Sequence, residues 1–158
     1  MTQFYKVSLF ILRVSTGWLM FYAGITKILD PQWSAAGYLQ NAKTFSGIYA
    51  WFASPGILPI INFINEWGLT LLGVSLILGI AVRLSSLLGV LLMFLYYFPV
   101  LEFPYIPPHS FIVDDHIINA AVLLFLASAR AGRVWGLENW CTNLPICRRY
   151  PKLVNWIR

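Results

Sequence analysis

The chain has 158 residues, 59% hydrophobic and only 11% charged, against about 25% charged in a typical soluble domain. A fold of this size exposes too much surface to hide so many apolar side chains, so the composition excludes an ordinary water-soluble domain and leaves room for one membrane domain. The net charge of +5 comes largely from a tail bearing Arg130, Arg133, Arg148, Arg149, Lys152 and Arg158; it reads as a cytoplasmic membrane flank and excludes a nucleic-acid partner.

A helix needs about 20 residues to cross a hydrocarbon core, and lipid offers no partner for exposed backbone groups. Four stretches meet that requirement, at about residues 7–29, 57–82, 84–101 and 112–130. The first carries Arg13, is too long for a signal-peptide core and lacks a small-residue cleavage site. Asp30-Pro31 ends it. The segment 34–52, SAAGYLQNAKTFSGIYAWF, mixes polar and aromatic residues at roughly helical spacing. It reads as a short helix lying in the interface or covering the mouth of the bundle. Ser54-Pro55-Gly56 and Pro59 open the second span, Arg83 marks a tight turn into the third, and Pro99, Pro104, Pro107 and Pro108 punctuate the third connection. The expected fold is thus all-α, a four-helix transmembrane bundle over residues 1–138, followed by a basic cytoplasmic tail over 139–158. Cys141 and Cys147 in that tail have poor metal spacing and are expected as ordinary thiols.

Loop charges set the orientation. Lys6, Arg83 and the tail fall on one side, and their excess of Lys and Arg puts both termini in the cytoplasm, in the inner membrane. The loops with Lys27, Asp30, Lys43, Glu102, Asp114 and Asp115 then face outward.

Charged groups at membrane depth cost about 2.5–3.5 kcal/mol each and are functional candidates by default. Arg13, Gly17, Met20, Gly24 and Lys27 form one stripe on the first span; Asn62, Glu66, Thr70 and Gly73 form another on the second, with Asn65 beside it. The fourth offers Asp115, His116 and Asn119. These residues suggest an outward-opening polar pocket, with Lys27 on one wall, Asp115 and His116 opposite, Glu66 at the floor and aromatics such as Tyr22, Trp67, Tyr96 and Tyr97 around it. Such a site suits a quinone headgroup, whose carbonyls need donors and whose reduction needs a proton route. Structural readings compete: Lys27 and Arg13 can snorkel to opposite interfaces, and Asp114, Asp115 and His116 can simply cap the fourth helix. Glu66 is the hardest to assign to packing, because a carboxylate that deep must be protonated, paired or wetted. With two histidines, His109 and His116, both on the outer side, no haem or metal is expected to be held by this chain alone.

Three stretches, LRVSTGWLMFYAGITKILDP, NEWGLTLLGVSLILGIAVRLSSLLG and DDHIINAAVLLFLASARAGRVWGLE, with WSAAGYL between the first two, span roughly residues 10–138. In this order, with Arg13, Lys27, Glu66, Arg83 and His116 where they stand, the chain resembles the DoxX/DoxD-like family of small four-helix membrane proteins. That resemblance implies a respiratory-chain setting. The family includes the membrane subunit of thiosulfate:quinone oxidoreductase and a small subunit associated with a terminal quinol oxidase. By that likeness Arg13, Lys27, Glu66 and His116 are the polar residues to test first; in the pocket reading Glu66 and His116 are expected to be catalytic, and Arg13, Lys27, Asp115, Tyr96 and Tyr97 to bind quinone. Thiosulfate chemistry would need a partner subunit, since no soluble domain is evident. The expected function is a quinone-linked oxidoreductase subunit; a non-catalytic accessory subunit and a small transporter are the alternatives.

Overall fold

A computed structural model describes residues 2–106 and 109–141. Most of the expected basic tail, including Cys147, lies outside the described residues.

Helix α1 (Gln3–Ile28) starts at Thr2, whose side chain accepts from the Tyr5 backbone N–H, and ends just before Asp30-Pro31. Two short helices, α2 (Ala36–Gln40) and α3 (Ser46–Phe52), occupy the polar–aromatic segment. Helix α4 (Leu58–Leu78) carries its proline in the first turn, where the missing N–H has no intrahelical partner to lose, and stops at Gly79 in a left-handed conformation. Helix α5 (Val82–Val100) follows almost at once, and α6 (Asp115–Ser128) comes after a minimal hairpin of β1 (Tyr105–Ile106) and β2 (Ser110–Phe111). A 3-10 turn (Ala131–Arg133) and a short α7 (Glu138–Cys141) close the described chain.

Among the described residues, three helices are long and apolar enough to cross a membrane: α1, α4 and α5. The protein is therefore a helical membrane protein. The fourth helix is shorter than the sequence suggests. Asp114, in extended conformation, caps it at Asp115 rather than at residue 112, and its 14 residues reach about 21 Å, short of a hydrocarbon core of about 30 Å. Residues 109–113, expected as helix or loop, instead carry β2 and a turn. Tyr97 Oη, donating to the Ile112 carbonyl at 2.6 Å, holds that turn against α5.

The helices pack as two pairs. Gly17 and Gly24 of α1 meet α4 so closely that a Cβ on Gly24 would stand 2.4 Å from Thr70 N, and one on Gly73 would stand 2.3 Å from Phe21 N. Small residues let membrane helices gain van der Waals contact where no hydrophobic driving force exists. Helix α5 pairs with α6, Gly89 receiving Leu123. The joint core includes Leu9, Met20, Leu69, Leu76, Met93, Leu123 and Leu126. The α2–α3 cover packs Leu39 and Tyr49 against Leu58, Ile61 and Phe98 at the end of the bundle that holds Lys27.

Candidate functional site: a caged lysine facing an aspartate–histidine pair

The turn after α1 builds the first wall. Asp30 Oδ1 accepts from the Gln32 backbone N–H at 3.0 Å, and Trp33 N–H donates back to the Asp30 carbonyl. This side-chain-mimicked turn brings the Trp33 ring back to 4.8 Å from Lys27 Nζ. Asn62 of α4 fixes the next residues, accepting from Ala35 N–H at 3.0 Å. Lys27 donates to Asn65 Oδ1 at 2.6 Å, and its ammonium also lies 5.5 Å from the centre of the Tyr96 ring. A cation held between two aromatic faces is stabilised by their quadrupoles. Lys27 is therefore fixed within the bundle rather than snorkelling freely.

The opposite wall comes from the start of α6. Asp114 Oδ1 accepts from the backbone N–H groups of His116 and Ile117, and its Oδ2 lies 2.6 Å from His116 Nδ1. A carboxylate on Nδ1 favours the tautomer that presents Nε2 as the second, free ring nitrogen. The His116 ring stands edge-on to Tyr96 at 6.0 Å between centroids. From the cover, Tyr38 donates its hydroxyl to the Tyr96 carbonyl and packs edge-on to the Tyr96 ring. Burial, reinforced by Tyr49 and Asp114, pushes the Tyr38 phenol up to about 12, so it stays a donor.

These groups enclose a cavity of about 370 Å³ lined by Lys27, Trp33, Tyr38, Asn65, Tyr96 and His116, among others. Tyr96 Oη is buried beside Asn65 and makes no well-aligned hydrogen bond. It is a polar atom that a ligand oxygen would satisfy.

Of the residues singled out in the sequence, Lys27, Tyr96 and His116 meet here. Glu66 does not line the cavity. It sits half-buried on α4 next to Asn65, which takes the position expected of it, and its charge acts on Lys27 from outside. Asp115 is exposed; Asp114, one residue earlier, is the carboxylate that engages His116. Tyr97 faces the other way, buried against Leu101 and Ile106. Tyr22 and Trp67 lie on the outer surface of the bundle. Arg13 stands at the opposite end, fully buried, donating to the carbonyls of Ala131 and Trp135 at 3.3 Å each, with Glu138 as the nearby opposite charge. The side chains that sequence reasoning left out are Trp33, Tyr38 and the ring-engaging role of Asp114. The Asp30-Pro31 turn and the WSAAGYL segment were the available signals.

No curated protein and no solved structure matches the chain. The DoxX family model matches residues 8–101, a span that contains Lys27, Asn65 and Tyr96 but stops before Asp114 and His116. With more than half of its length matched, the chain belongs to the DoxX family of membrane proteins.

Proposed function

We propose that this protein is the quinone-binding subunit of a respiratory oxidoreductase, with the Lys27 end opening outward from the inner membrane. The observation that carries the reading is one cavity with a caged ammonium on one wall and an aspartate-held histidine on the other. A bound quinone would supply a two-electron, two-proton couple, its electrons coming from a redox centre on a partner subunit. The residues fit that group. Lys27 has three N–H donors and gives one to Asn65, and Tyr96 Oη offers another, so a carbonyl oxygen would find donors. His116 Nε2 would hold and hand on a proton, with Asp114 keeping the ring in register. Glu66 offsets the charge of Lys27 from the neighbouring face of α4. The excess of Lys and Arg at the other end supports a cytoplasmic location for both termini and an outer location for the cavity. A four-helix bundle, with α6 completed by the segments on either side of it, is part of the same reading.

The alternative of a non-catalytic accessory subunit draws support from the structural duties of the same groups, since Asp114 caps α6 and Lys27 ties α1 to Asn65 of α4. Quinone titration of the purified protein in nanodiscs separates the two. Binding that weakens by about 10- to 100-fold in Lys27→Met, the range of a charge-assisted hydrogen bond of about 1.5–3 kcal/mol, supports the quinone site. Absence of saturable binding to the wild-type protein would leave the accessory role.

A further inference from the structure

Five glycines lie within the three membrane-crossing helices, Gly17, Gly24, Gly68, Gly73 and Gly89. Four are pressed against a neighbouring helix, where an added Cβ would meet another atom at 2.9 Å or less. Gly68 is different: a Cβ there would meet nothing within 4 Å. A glycine in a helix interior costs about 1 kcal/mol relative to alanine, and at Gly68 no close helix approach offsets it.

What Gly68 borders is an open groove between α4 and α5, the seam between the two helix pairs. The groove encloses about 390 Å³ and is almost wholly apolar, with Leu71, Leu88 and Leu91 on its walls. Along α4 it runs from Ile64 to Ser75, about 16 Å at the rise of a helix. At its far end Ser75 and Ser85 bridge the two helices by a 2.8 Å hydrogen bond. Further cavities adjoin its near end. A smaller cavity of about 110 Å³ shares Ile64, Leu92 and Leu95 with the groove, and shares Tyr38, Asn65 and Tyr96 with the polar cavity. Polar cavity, small cavity and apolar groove are therefore neighbours in that order along α4 and α5.

We infer that the α4–α5 groove is the seat of the prenyl tail of the quinone whose headgroup occupies the Lys27 cavity, and that Gly68 is glycine to leave room for that tail. The inference rests on the headgroup reading above. A chain of bulk lipid would have its headgroup in the interface beside the protein; only an amphiphile with its polar end in the Lys27 cavity uses all three compartments. Transfer from bilayer to groove gains little hydrophobic energy, so the tail is held by van der Waals fit. A side chain that fills the groove should therefore abolish the benefit of the tail without touching the headgroup contacts.

The test compares two probes, 2,3-dimethoxy-5-methyl-1,4-benzoquinone without a tail and the same ring bearing two isoprene units. Each is titrated into the full-length protein in identical nanodiscs, so that partition into lipid cancels between variants. The wild type should prefer the tailed ring, and Gly68→Phe should reduce that preference by about tenfold while binding the tailless ring as the wild type does. Unchanged affinity for the tailless ring also certifies that the variant is folded. Gly68→Ala, which adds one methyl group, should keep the preference; an equal loss in both variants would mark an effect on the helix and overturn the groove assignment. So would a Gly68→Phe protein that keeps the full preference, which would assign the groove to acyl chains of the bilayer and leave the headgroup site standing. If the tailless ring fails to bind the wild type, the headgroup reading falls and this inference falls with it.

Discussion

Asp114 serves two neighbours at once. One oxygen caps α6 and the other engages His116 Nδ1, so its two duties can be separated by substitution. Asparagine caps a helix as well as aspartate does, whereas alanine forfeits about 1 kcal/mol. Asp114→Asn should therefore melt within a degree or so of the wild type (roughly 0.3–0.5 kcal/mol at the usual scaling) yet lose the fixed imidazole tautomer, visible in the nitrogen NMR shifts of His116. Asp114→Ala should lose both. A wild-type tautomer population in Asp114→Asn would show that the 2.6 Å contact does not set the ring. At this scale the sequence singled out Lys27, Tyr96 and His116, which line one cavity, because cations, imidazoles and phenols at membrane depth stand out against an apolar background. It misassigned the carboxylate by one position, since which of Asp114 and Asp115 caps depends on the backbone at the junction, where Asp114 is extended at φ −126° and ψ 172° on the negative side. Trp33 was hidden for another reason: an aromatic near a span end reads as an interfacial belt residue until the turn at Asp30 is known to fold it back.

Among elements, the α1–α4 contact is the tightest, and its glycines behave unlike Gly68. In an exposed helix Gly→Ala stabilises by up to about 1 kcal/mol, but at Gly24 the new methyl would meet Thr70 N and Oγ1 at 2.4 Å. Overpacking of that kind costs about 1–3 kcal/mol. Gly24→Ala should accordingly lower the melting temperature in mild detergent while Gly68→Ala leaves it unchanged or raises it. A Gly24→Ala protein more stable than the wild type would mean that α1 and α4 are not so closely apposed. The long helices were legible because length, hydropathy and breakers agree over residues 3–28, 58–78 and 82–100. The α6 boundary and the β1–β2 hairpin were not. Their positions follow from the Asp114 cap and the Tyr97–Ile112 bond, and those are tertiary facts that leave no period in the sequence.

For the whole molecule, the two helix pairs are tied at both ends. At the Lys27 end the cover bridges them, Thr44 Oγ1 donating to the Leu101 carbonyl and Lys43 pairing with Glu102 at 3.0 Å. At the other end the guanidinium of Arg13 joins α1 to the segment after α6, in a niche where a Cβ on Gly79 or Gly136 would stand 1.8 or 2.4 Å from Nη1. Arg13 is thus a structural tie rather than part of the Lys27 cavity. A hydrogen bond from a charged donor is worth about 1.5–3 kcal/mol, and Arg13 makes two, with the Glu138 carboxylate nearby and itself 3.9 Å from Arg133. Arg13→Met should therefore destabilise the protein by about 3 kcal/mol or more in thermal unfolding. An unchanged melting temperature would show that the two bonds do not tie the pairs. Family membership was readable from the order of the motifs. The grouping into pairs was not, because an apolar face does not announce which apolar face it meets.

The Arg13 tie has a consequence for how the chain is made. Its acceptors lie 118 and 122 residues downstream, beyond every long helix. At a synthesis rate of about 5–20 residues per second, Arg13 waits roughly 6–24 s after its own incorporation before those carbonyls exist. During that interval Arg13 lacks those acceptors, and an uncompensated cation disfavours full seating of α1 in lipid. Helix α1 is therefore expected to settle late, once the residues after α6 have been made.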